Sequence, residues 1–133
     1  MRQSIASAIL IFVAFAVADL SGCSAEPAKE LLGTWKGTTK IDQEITITIR
    51  KDSTIEIETV ADSVRDIRKG TYQVIDRRLR IALTVRETQS GDLVKREPKF
   101  DQEEALFTFT AANEMVLREG TQAIILERIT GPD

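Results

Sequence analysis

From Thr34 onward, apolar and polar residues alternate along this chain in a series of short runs. Ile45, Ile47 and Ile49 alternate with Glu44, Thr46, Thr48 and Arg50, and Ile55 and Ile57 with Thr54, Glu56 and Glu58. Tyr72 and Val74 follow Gly70. Leu79, Ile81, Leu83 and Val85 then alternate with Arg80, Ala82, Thr84 and Arg86. Ala105, Phe107 and Phe109 alternate with Leu106, Thr108 and Thr110, Met115 and Leu117 follow, and Gln122 to Ile129 forms a last run. A period of two sends alternate side chains to opposite faces of an extended strand. The Ile, Val, Thr and Phe content suits strands.

Short polar stretches punctuate the runs. Lys51-Asp52-Ser53, Asp76-Arg77, Ser90-Gly91-Asp92, Ala112-Asn113 and Glu119-Gly120 read as turns. Asp62 to Arg68 reads as a loop or a bent strand. Asp101, Glu103 and Glu104 fall where a hairpin turn is expected, before the strand that begins at Ala105. The pattern predicts an all-β domain of about eight or nine strands. Short connections make neighbours antiparallel. With one apolar face per strand, such an up-and-down meander buries that face by closing into a barrel or folding into a sandwich. Pro27 opens a short helix that runs through Leu32, and Gly33 stops it.

The segment before this meander has a different pattern. Arg2 precedes an apolar run from Ile5 to Val17, which ends ahead of Asp19. The run is too short for the ~20 residues that span a bilayer as a helix, and it has the layout of a secretory signal. Leu20-Ser21-Gly22-Cys23 follows and holds the one cysteine of the chain. These four residues resemble the lipobox of bacterial lipoproteins. The resemblance implies cleavage before Cys23, acylation of Cys23 and a lipid anchor in the cell envelope. Several acyl chains hold a protein stably at ~0.8 kcal/mol per buried methylene. Ser24, rather than Asp, after the cysteine implies the outer membrane, facing the periplasm, if the cell is Gram-negative. Residues 1–22 are then a signal peptide, 23–29 a lipidated tether and 30–133 the barrel domain.

Composition narrows the chemistry. The chain has no histidine, which removes His-based acid–base catalysis and most zinc, copper or haem sites. With one cysteine, already assigned to the anchor, packing and not a disulfide must stabilise the domain. The net charge is −3, and no basic patch of the kind nucleic acid requires is present; Arg77-Arg78 with Arg80 reads as a solvated face. No metal-binding spacing, phosphate loop or cofactor motif stands out. Glu56 and Glu58 share an outward face and are expected to pair with basic residues across the sheet. The chain therefore reads as a protein that is not an enzyme.

Leu31-Leu32-Gly33-Thr34-Trp35-Lys36-Gly37, a short helix leading into Gly-x-Trp at the first strand, resembles the lipocalin and lipocalin-like families. The resemblance implies a small closed barrel in which Trp35 seals the bottom. A basic residue of the last strand, here Arg128, then packs across its ring, a contact worth ~0.5–2 kcal/mol. It also implies an apolar lumen, for which Ile47, Ile57, Tyr72, Ile81, Phe107 and Phe109 are candidate ligand-lining residues. Two functions follow as expectations. One is binding or carriage of a small hydrophobic ligand. The other is a filled, non-catalytic barrel with a structural or regulatory role that binds an envelope protein.

Overall fold

The computed structural model describes residues 29–130. After a helical turn at 29–31 come eight strands: β1 (Gly33–Thr38), β2 (Glu44–Ile49), β3 (Thr54–Ala61), β4 (Val64–Ile75), β5 (Arg78–Ser90), β6 (Leu93–Ala111), β7 (Glu114–Glu119) and β8 (Gln122–Thr130). Each pairs antiparallel with its sequence neighbour, and β8 pairs with β1 to close the barrel. Closure is the solution that leaves the fewest open sheet edges. The proposed signal peptide, Cys23 and the start of the N-terminal helix lie outside the described residues.

Register follows from the alternating pattern. Ile47 sits opposite Trp35 on one side and Ile57 on the other. Cross-strand partners project to the same face, so the isoleucines of β2 and β3 stack with Trp35 in the interior. Tyr72 sits opposite Ile81, and Phe107 opposite Leu117, in the same way. Turn chemistry fixes these registers. Asp62 and Ser63 have φ of 50° and 72°, and Ala61 pairs with Val64 across them. Two successive left-handed residues form the two-residue turn that matches the twist of a hairpin. At the β2–β3 turn, Asp52 accepts hydrogen bonds from the backbone N–H and the hydroxyl of Thr54 (3.1 and 2.6 Å).

Two stretches differ from the sequence reading. Of Asp62–Arg68, expected as a loop or a bent strand, Asp62 and Ser63 form a turn and the rest is strand, β4 beginning at Val64; mixed charges obscured its period because its inward side chains meet other charges. Asp101, Glu103 and Glu104 do not form a turn. They lie within β6, a single strand of 19 residues. A register shift opposite Leu83 and Val85 marks a bulge near Pro98–Asp101. It absorbs the irregularity that a turn was expected to supply. N-terminal to Leu106, β6 has no pairing with β7, so the β5–β6 hairpin extends past β7 while β4 follows β5 to Ser90.

Gly70 allows β4 and β5 to approach closely at a second register shift. A Cβ there would collide with the backbone carbonyl of Ala82.

Candidate functional site

The barrel has a sealed floor, a packed interior and a charged mouth. The floor is built by the helical turn and β1. The Trp35 indole Nε1–H donates to the Leu31 carbonyl at 2.8 Å, and both residues are fully buried. The Arg128 guanidinium carbon lies 4.6 Å from the centroid of the Trp35 ring. Its Nη2 donates to the Glu30 carbonyl. Its Nε has no acceptor among the described residues, so the indole face is what compensates this part of the cation. Phe109 completes the aromatic group, 6.1 Å from Trp35 and 5.7 Å from Phe107, centroid to centroid.

Above this floor, Ile47, Ile57, Tyr72, Ile81 and Phe107 are 2–8% exposed, and Phe109 is partly buried. The first five belong to one cluster with Trp35, Ile49, Ile55, Leu79, Leu83, Met115 and Leu126, and Phe109 packs against it. The side chains of the cluster pack against one another with little accessible surface, and Val74, Leu117 and Ile124, like Phe109, pack against them partly buried. The Tyr72 hydroxyl reaches out of the cluster to donate to the Arg50 carbonyl at 2.8 Å. Burial, with a smaller contribution from the charge of Asp52, raises its pKa above the ordinary 10.0.

Toward the mouth the inward positions become charged. Ile57 is followed across the sheet by Arg68, Arg86 and Glu97 in one row. Arg68 reaches Glu103 at 3.0 Å, and Arg86 holds both oxygens of Asp66 at 3.2 and 2.9 Å. The hydrogen bonds and charge of Asp66 raise the pKa of Arg86 further. Glu119 joins the group from β7. Desolvation and then the charge of Glu103 raise its pKa above the ordinary 4.5, while Arg68 opposes the shift. Sequence reading missed this mouth because alternating charges on a strand look like a solvated face. The inward side of these residues became legible only once Ile57 and Arg68 were seen to be partners.

The outer wall carries further ion pairs. Glu58 meets Arg65 at 3.0 Å and Glu56 meets Arg50 at 3.6 Å. Glu104 takes Arg80 at 2.8 Å and Arg78 at 3.3 Å, so part of the expected basic face is neutralised. An open groove of about 550 Å³ crosses the outside of β4, β5 and β6, lined by Thr71, Gln73, Arg80, Ala82, Gln102 and Glu104 among others. A smaller cavity of about 140 Å³ lies between the β1–β2 turn and β8. Among the described residues, no group of three or more Asp, Glu, Cys or His is placed to hold a metal ion.

Comparison of the chain with protein-family models, with curated proteins and with solved structures found no match.

Proposed function

We propose that this chain is a lipid-anchored cell-envelope protein with a lipocalin-like barrel, and that it acts through its outer surface as a non-catalytic structural or regulatory partner of an envelope protein. One observation carries the reading: of the six side chains nominated to line a ligand chamber, five are buried against one another and Phe109 packs against them partly buried. A carrier of hydrophobic molecules needs a chamber of roughly 300 Å³ or more. The closed eight-stranded barrel and the contact of Arg128 with Trp35 support the lipocalin-like fold. The anchor rests on Leu20-Ser21-Gly22-Cys23 and on the apolar run before it. In a Gram-negative cell, Ser24 favours the outer membrane, with the barrel in the periplasm. The absence of histidine favours a role outside catalysis.

The test has two arms. Metabolic labelling with a fatty-acid analogue is expected to mark the wild-type chain and not Cys23→Ala; equal labelling of both overturns the anchor. Native mass spectrometry of the full chain is expected to show no apolar molecule inside the barrel. A stoichiometric bound lipid would restore the carrier reading.

A further inference from the structure

We propose that the outer wall over β4, β5 and β6 binds an uncharged, hydroxyl-rich ligand of the oligosaccharide class. The register places Thr71, Ala82 and Gln102 side by side in one row and Gln73, Arg80 and Glu104 in the next. These rows face outward, because the intervening Tyr72 and Ile81 are buried in the core. Ala82, the smallest side chain of the six, occupies the central strand between Thr71 and Gln102. That size step hollows the wall into the groove of about 550 Å³, within the roughly 300–1,000 Å³ of small-molecule sites.

The chemistry of the lining selects the ligand. The two charged side chains in these rows, Arg80 and Glu104, hold each other at 2.8 Å. What remains is the hydroxyl of Thr71 and the amides of Gln73 and Gln102. Each of these groups both donates and accepts hydrogen bonds, as sugar hydroxyls do. The central strand β5 is hydrogen-bonded to β4 and to β6 here, so the middle of the groove offers side chains and not free backbone, while β6 before Leu106 keeps one open edge. The side chains stand on paired strands, which hold such groups more precisely than loops do. This site is separate from the barrel interior and does not depend on the anchor.

The experiment is a glycan array probed with the full chain, followed by calorimetric titration with the neutral oligosaccharide that binds best. Gln102→Ala and Gln73→Ala are each expected to weaken binding about tenfold, the effect of losing one good contact. Ala82→Trp is expected to abolish binding while the circular-dichroism spectrum stays that of the wild type. The proposal falls if no neutral oligosaccharide binds, or if only charged glycans or peptides bind. It also falls if Gln102→Ala and a folded Ala82→Trp both bind as the wild type does.

Discussion

Arg128 of the last strand stacks on Trp35 of the first, its guanidinium carbon 4.6 Å from the ring centroid. The same guanidinium donates to the carbonyl of Glu30, and the indole donates to that of Leu31. The pair thus joins the two strands that close the barrel to the helical turn that covers its floor. Arg128→Ala removes the cation–π contact and the hydrogen bond together. It is expected to lower the unfolding free energy by about 2 kcal/mol in urea denaturation. Arg128→Lys, which keeps the charge without the planar group, is expected to recover less than half of that.

The packed interior makes a second outcome specific. Met115 is fully buried in the core cluster. Met115→Ala is expected to cost about 2–5 kcal/mol, the loss of transfer energy plus the cavity left behind. A small apolar probe such as xenon is expected to bind this variant and not the wild type. Equal binding to both would show a pre-existing chamber.

Tyr72 supplies a pH dependence. Its hydroxyl donates to the Arg50 carbonyl, and burial raises its pKa above 10.0. A raised folded-state pKa favours the protonated form, so its stabilisation is complete below pH 10.0 and declines as pH rises through the folded value. Tyr72→Phe is expected to be less stable by about 1 kcal/mol at pH 8. The gap is expected to narrow as the urea midpoints of both proteins are followed above pH 10.0.

The mouth pair is expected to couple weakly. Arg68 and Glu103 sit 3.0 Å apart with about a quarter of each side chain exposed. A double-mutant cycle with Arg68→Ala and Glu103→Ala is expected to give a coupling of about 0.5–1 kcal/mol that shrinks in high salt.

Gly70 and Gly91 are expected to separate two reasons for glycine. A Cβ at Gly70 meets backbone, whereas Gly91 has open space but a φ of +61°. Overpacking at a well-packed site costs about 1–3 kcal/mol and left-handed strain about 1–2 kcal/mol. Thermal unfolding of Gly70→Ala is expected to show the larger loss, with a shifted β4–β5 register visible by NMR. Gly91→Ala is expected to leave the register intact.

Much of the barrel was legible because Ile45 to Ile57 and Leu79 to Leu83 alternate cleanly, and apolar alternation has a single meaning in an antiparallel sheet with one buried face. Asp62–Arg68 was legible only as a choice between loop and bent strand, and Asp101–Glu104 was not legible, because charge is an ambiguous signal. Arg68 and Glu103 satisfy each other on the inward side of the mouth, and two charges that neutralise one another there have the same pattern as two charges in water. The groove was invisible for a related reason: Thr71, Ala82 and Gln102 are far apart in the chain and become a row only through register.

By its own pattern, the sequence determined the strand class of the domain, the strands that Ile45 to Ile57 serve and the turns at Lys51–Ser53, Asp76-Arg77 and Ser90–Asp92, since these depend on local backbone preference and a period of two. The tertiary structure alone decided that the sheet closes, which inward side chains pack together and that charges face inward at the mouth. Those outcomes depend on side chains distant in sequence meeting at atomic separations, and local pattern does not encode distance.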